Sequence, residues 1–301
     1  MHGVWLPLIT PFIDGAVDLR SHARLCEVYA GTGVSGIILL GTTGESPTVT
    51  ADERVAIVRR TREVISNELP VFVGVSGSST AGVTGTVAQL DDLDVDGYLV
   101  TSPYYSRPPQ DGIRAHFEQV CAATDKPVVL YNIPYRTGSN VATGTVLRIA
   151  ERCANLVAVK DSCGNLEQSF DLIRRAPGSL AVLTGEDAQF FATSAAGGAG
   201  GILAAAHVAT GAFVRVHALL RQGELDEARR VWFDDIVGFL PSLFAESNPM
   251  PLKHVLWRAG LIASPECRLP LTEVSAGLAA RLESVARLVP SSTVEAGELT
   301  R

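Results

Sequence analysis

Cysteine is scarce and scattered in this chain. The five cysteines, Cys26, Cys121, Cys153, Cys163 and Cys267, are odd in number and form no Cys-x-x-Cys pair. They read as reduced thiols of a cytoplasmic protein, not as a disulfide frame or a zinc site. The six histidines show neither His-x-His nor His-Glu-x-x-His spacing, so no metal site is expected. A basic excess is also missing. With 25 Lys and Arg against 32 Asp and Glu, the net charge is −7, and the basic footprint of a nucleic-acid partner is absent. No apolar run reaches the roughly 18 residues of a membrane span, and Met1–Trp5 carries no basic leader region. The expectation is a cytoplasmic protein that acts on small molecules.

What is present is apolar and periodic. Hydrophobic residues make up 47% of the chain, enough for a large core. Eight short, largely apolar runs recur: Val4–Ile9, Gly36–Leu40, Val71–Val75, Gly97–Thr101, Val128–Asn132, Leu156–Lys160, Leu180–Thr184 and Gly201–Ala205. Helix-length segments lie between them, near Leu19–Thr32, Ala51–Asn67, Ala81–Leu93, Gln110–Thr124, Gly144–Arg152, Leu166–Arg175 and Glu186–Ala196. Thr50 with Glu53 has capping-box spacing at the start of the second of these. Strands alternating with helices imply right-handed βαβ units, and strands apolar on both faces imply a covered parallel sheet. Eight units in about 205 residues favour a closed (β/α)8 TIM barrel over an open doubly wound sheet. Helical stretches near His207–Gln222, Leu225–Phe244, Pro251–Ala259 and Leu271–Leu288 then predict a C-terminal helical extension. The expected organisation is a catalytic barrel over 1–223, the extension over 224–290 and a small, polar tail over 291–301.

Two glycine-rich stretches imitate nucleotide sites. Gly31–Gly36 spells the dinucleotide fingerprint, but it follows a helix and opens a strand, the reverse of what pyrophosphate binding needs. Gly197–Gly201 also precedes a strand. In a barrel the ligands gather at the other ends, so both read as packing and turning devices.

The C-terminal ends of the strands carry the chemistry. Lys160 ends the apolar run Leu156–Val159. A lysine there either marks the exit to solvent or places its amine where burial disfavours the charged form, which makes it a candidate nucleophile for a carbonyl. Strand 5 runs into Tyr131-Asn132-Ile133-Pro134-Tyr135-Arg136, and strand 7 delivers Gly185-Glu186-Asp187. After strand 2, Gly41-Thr42-Thr43-Gly44-Glu45-Ser46 forms either a nest for a small carboxylate or a hydroxyl-capped turn. Tyr131 and Lys160 fall on adjacent strands, where a phenol could shuttle the proton that imine formation requires. Together these groups suit an α-keto acid such as pyruvate, and Arg136 suits the carboxylate of a second substrate.

Several motifs then carry a family likeness: Thr10-Pro11-Phe12, GTTGES at Gly41–Ser46, SPYYSRP at Ser102–Pro108, YNIPYRTG at Tyr131–Gly138, VKDS at Val159–Ser162 and SNPMPLK at Ser247–Lys253. Over about residues 4–290 the chain resembles the pyruvate-dependent class I aldolases typified by dihydrodipicolinate synthase and N-acetylneuraminate lyase. The resemblance implies Lys160 as the Schiff-base lysine and Tyr131 as proton shuttle. It implies a relay through Thr42 and Tyr105, with Tyr105 reaching in from a neighbouring subunit. Thr43 matches the contact to the pyruvate carboxylate, while Gly185 and Ile202 match residues lining the pyruvate pocket. No cofactor is implied beyond the covalent imine, and homotetramers are usual.

Within that family, an arginine at position 136 implies a synthase joining pyruvate to L-aspartate 4-semialdehyde, giving 4-hydroxy-tetrahydrodipicolinate on the route to lysine and diaminopimelate. The alternatives are a pyruvate-dependent aldolase or dehydratase for another aldehyde or sugar acid, and a non-catalytic keto-acid-binding barrel. Two local departures from the synthases stand out: Val159-Lys160-Asp161-Ser162 in place of I-K-E-A, and Leu203-Ala204-Ala205-Ala206-His207 where a hydroxyl-bearing segment is common. The second predicts an apolar wall with a new histidine, suited to a bulkier or less polar second substrate. Ala51, Arg54, Ser78 and Gly82 stand at the places of the regulatory cleft, which predicts weak or no inhibition by lysine.

Overall fold

The computed structural model describes residues 1–65 and 69–290. Eight parallel strands close a barrel: β1 (Gly3–Pro7), β2 (Gly36–Leu39), β3 (Val71–Val75), β4 (Gly97–Thr101), β5 (Val128–Asn132), β6 (Leu156–Asp161), β7 (Ala181–Thr184) and β8 (Gly200–Ile202). Each pairs with its neighbours in the chain, and β8 pairs with β1 to seal the ring. The barrel predicted from the apolar runs is the one observed. Closure is tight: Gly200 has φ 142°, and a Cβ there would lie 2.0 Å from the Gly3 carbonyl oxygen. The Gly197–Gly201 stretch therefore lets two backbones approach. Gly31 caps the first helix, as its place between helix and strand suggested.

Between the strands run α1 (Leu19–Ala30), α2 (Ala51–Val64), α3 (Thr80–Asp91), α4 (Gln110–Ala122), α5 (Thr143–Arg152), α6 (Leu166–Arg175) and α7 (Phe190–Ala195), and α8 (Thr210–Gln222) follows β8. Thr50 and Glu53 form the expected capping box on α2. The predicted end of that helix, at Asn67, lies outside the described residues. Two apolar layers result. Trp5, Ile38, Phe72, Leu99, Val129 and Leu183 fill the barrel interior, and a larger cluster lies between the strands and the helices.

The C-terminal region departs from its helical expectation. Leu225–Phe244 is not one helix but α9 (Leu225–Val231), a π turn over Trp232–Ile236 and α10 (Leu240–Leu243). Pro241 has no N–H for an interior turn and is tolerated only in the first turn of a new helix, so the helix restarts there. The next helix, α11 (Met250–Arg258), is close to expectation. The last, α12 (Ala276–Ala286), starts later than read, where the Ser275 hydroxyl accepts the Leu278 N–H. The predicted tail over 291–301 falls outside the described residues.

Candidate active site

The C-terminal ends of the strands surround a cavity of about 340 Å³. Lys160 lies opposite Tyr131 in the β5–β6 ladder, and its Nζ stands 4.2 Å from the centroid of the tyrosine ring. The two residues are 5% and 4% exposed. Loss of water lowers the lysine pKa to about 8, although the Asp187 and Glu186 carboxylates oppose the shift. At pH 7 roughly a tenth of such amines are neutral, against well under a thousandth for an ordinary lysine. The same burial raises the Tyr131 phenol above its usual range, while the hydroxyls of Ser162 and Thr42 pull it back. The phenol thus stays protonated near neutrality and is available as a donor.

Gly185, just beyond β7, makes room for the lysine. A Cβ there would lie 2.6 Å from Lys160 Cε and 2.2 Å from Ser162 Oγ. Ile202, the last residue of β8, lines the same cavity and belongs to the barrel interior. The polar network behind the lysine is equally specific. Because side chains alternate along a strand, Asn132 and Asp161 face away from the cavity while Tyr131 and Lys160 face into it. Asn132 Nδ2 donates to Asp161 Oδ1 at 3.2 Å, Ser169 Oγ donates to Asp161 Oδ2 at 2.6 Å, and the Cys163 N–H donates to Oδ1 at 3.2 Å. The aspartate of the divergent VKDS segment therefore ties β5 to β6 and α6.

Thr42 and Thr43 reach the cavity from the β2 loop. Of the two readings of this loop, an anion nest and a hydroxyl-capped turn, the geometry is nearer the turn. The N–H groups of Gly44 and Glu45 donate to the carbonyls of Gly41 and Thr42 at 3.0 and 3.1 Å, closing the turn on itself. The loop instead offers hydroxyls. Thr43 Oγ1 accepts a bond from Asn248 Nδ2 at 2.9 Å, leaving its own hydrogen to donate to a bound anion. Arg136 stands exposed at the rim, shared by the main cavity and an adjoining one of about 310 Å³.

Tyr105 is not brought to Tyr131 within one chain. It is 92% exposed, in a left-handed backbone conformation with φ 70°, and it lines neither cavity. The reading of the wall after β8 needs correction. Only Ala204 of Leu203–His207 faces the cavity. His207 is fully buried against the Tyr29 ring, with Nδ1 2.9 Å from the Ala204 carbonyl, in the layer between strands and helices. It offers nothing to a second substrate.

Some groups carried no role in the sequence. Asp187 is buried beside Lys160, and its carboxyl is raised to about 7 by burial, against the Ala205 N–H that it accepts at 2.7 Å. Burial also raises Glu186, which the Ser162 hydroxyl and Lys160 hold back. Phe244, Glu246 and Asn248 arrive from the C-terminal region to line the cavity. The SNPMPLK motif was the available signal, but no local pattern ties Asn248 to Thr43 across 205 positions.

Residues 1–288 match the model of the dihydrodipicolinate synthetase family. The chain is 42% identical over 282 residues to 4-hydroxy-tetrahydrodipicolinate synthase 2 of Clostridium acetobutylicum, an alignment covering 94% of this chain and 98% of that one. The crystal structure of dihydrodipicolinate synthase from Thermotoga maritima aligns with a TM-score of 0.92 at 36% identity, covering 95% of this chain and 98% of the other. A monomeric dihydrodipicolinate synthase variant gives a TM-score of 0.92 at 35% identity, covering 96% of this chain and 98% of the other. With a matched model that spans the barrel and the helices beyond it, the chain belongs to the dihydrodipicolinate synthetase family.

Proposed function

We propose that this protein is a 4-hydroxy-tetrahydrodipicolinate synthase, a lyase-class enzyme that condenses pyruvate with L-aspartate 4-semialdehyde through an imine on Lys160. The observation that carries the imine is the buried Lys160 amine, partly neutral at working pH, 4.2 Å from the Tyr131 ring centroid at the barrel mouth. The neutral Nζ attacks C2 of pyruvate. Tyr131 donates a proton to the resulting hydroxyl, water leaves, and the iminium forms. Loss of a proton from C3 then gives an enamine, whose carbon attacks the aldehyde of the second substrate. The amine serves as the electron sink, so no added cofactor is required.

Thr42 passes protons to and from Tyr131, and the chain of donors is completed by Tyr105 of the partner subunit. The Thr43 hydroxyl holds the pyruvate carboxylate, with Gly185 and Ile202 shaping that end of the cavity. Arg136, at the rim between the two cavities, suits the carboxylate of the semialdehyde by bidentate pairing. We take the assembly to be a homotetramer and the location cytoplasmic; no helix among the described residues is long and apolar enough to cross a membrane. Comparing catalytic efficiency across several aldehydes tests the second substrate. A strong preference for L-aspartate 4-semialdehyde is expected, and a larger kcat/KM for a sugar acid or an aromatic aldehyde would overturn it.

A further inference from the structure

Glu45 follows the Thr42–Thr43 pair by two residues, and its backbone is held left-handed at φ 51°, a region that residues other than glycine rarely adopt. Its side chain, 1% exposed, meets Nζ of the wholly buried Lys253 at 2.5 Å. Lys253 belongs to α11, donates to the Glu266 carbonyl at 2.7 Å and lies 4.1 Å from the centroid of the Phe12 ring. The second carboxylate oxygen of Glu45 accepts the Arg268 N–H at 3.0 Å. Arg268 in turn grips Glu53 on α2, at 2.8 Å, and the Gly15 carbonyl, at 2.7 Å.

Two features make this more than a fastening between distant segments. A buried ion pair holds a fold no better than apolar side chains of the same volume, because both charges must be desolvated. Packing alone therefore gives no reason for a charged pair here. The loop that it anchors, meanwhile, is the one that turns the Thr42 and Thr43 hydroxyls to the cavity. Removing the cation would leave an uncompensated carboxylate in the lining of the adjoining cavity, two residues from the Thr43 hydroxyl that is to hold another carboxylate.

We infer that Glu45 and Lys253 are positioning residues for the keto-acid carboxylate: the pair fixes the turn that presents Thr42 and Thr43 and cancels the loop's own negative charge. The inference rests on the pyruvate reading above. Pyruvate is titrated at saturating aldehyde with the parent enzyme, Lys253→Met, Glu45→Asp and the Glu45→Gln/Lys253→Met double variant. Glu45→Asp keeps both charges but shortens the reach by one methylene, which guards against a Lys253→Met protein that does not fold.

Either single change is expected to raise the pyruvate KM roughly tenfold, and more than it raises the aldehyde KM, while kcat falls by a smaller factor because Thr42 shares the turn. The uncharged double variant removes the stray charge but not the clamp, so its pyruvate KM is expected to fall between that of Lys253→Met and the parent, and a value no better than that of Lys253→Met would overturn the charge-cancelling role. A pyruvate KM unchanged in every folded single variant would overturn the inference. So would a fall in kcat and an equal rise in both KM values that track lost thermal stability. Borohydride trapping on the parent separates the two levels: no pyruvate adduct removes the imine reading itself, whereas an adduct with unmoved KM removes only the positioning role.

Discussion

At Lys160 two opposing effects set the state of the amine: burial lowers its pKa to about 8, and Asp187 and Glu186 hold it from falling further. Only the neutral amine attacks a carbonyl. The rate of adduct formation with pyruvate should therefore rise about tenfold per pH unit below pH 8 and level off above it, whereas an unshifted lysine would keep gaining until about pH 10.4. Asp187→Asn removes a negative charge that raises the lysine pKa while keeping an acceptor for the Ala205 N–H. Its acid limb should shift to lower pH, and a shift upward would contradict the charge assignment. At Gly185 the prediction is steric. A methyl group 2.6 Å from Lys160 Cε has to displace the lysine, so Gly185→Ala should lower kcat/KM roughly a hundredfold. Steady-state kinetics beside a melting curve would separate this from a loss of fold.

At the scale of elements, the strand ends are organised from behind. Asp161 accepts bonds from Asn132, Ser169 and Cys163, joining β5, β6 and α6 directly beneath the Tyr131–Lys160 pair. Asp161→Ala would take the acceptor from the Cys163 N–H, while Asn132 keeps Asn140 and Ser169 keeps the Asn165 carbonyl, so the expected loss is about 1 kcal/mol. Urea unfolding should register that loss, and a wild-type midpoint would show the network to be dispensable. The elements themselves were legible because strands covered on both faces must be apolar throughout. Lys160 was legible for the same reason, as a polar residue ending an apolar run. The direction of His207 was not, because strand alternation does not say how a short loop after the last strand turns. The break at Pro241 and the outward face of Asp161 were legible in principle, from proline's missing N–H and from strand alternation.

At the scale of the whole molecule, residues far apart in sequence finish the site. Asn248 orients Thr43, and Lys253 anchors Glu45. The motif around Asn248 was visible in the sequence, but its partners only emerge once the chain folds back over the barrel mouth. Tyr105 points outward from the single chain, at 92% exposure. If it serves the site of the partner subunit, Tyr105→Phe should lose roughly a hundredfold in kcat, and Lys160→Ala should be inactive. Co-expressing the two should then restore activity, because mixed assemblies contain sites with an intact lysine facing an intact tyrosine. No recovery in a mixed assembly confirmed by mass would place Tyr105 outside the relay.

Every other step of the proposed mechanism passes through an imine on Lys160, and such an imine is open to direct capture. The full-length protein is incubated with pyruvate, reduced with borohydride and weighed intact and as peptides. Imine chemistry predicts one reduced pyruvate adduct per chain, confined to the peptide containing Lys160 and absent from Lys160→Ala. An active enzyme that acquires no adduct, or acquires it on another lysine, would contradict the mechanism.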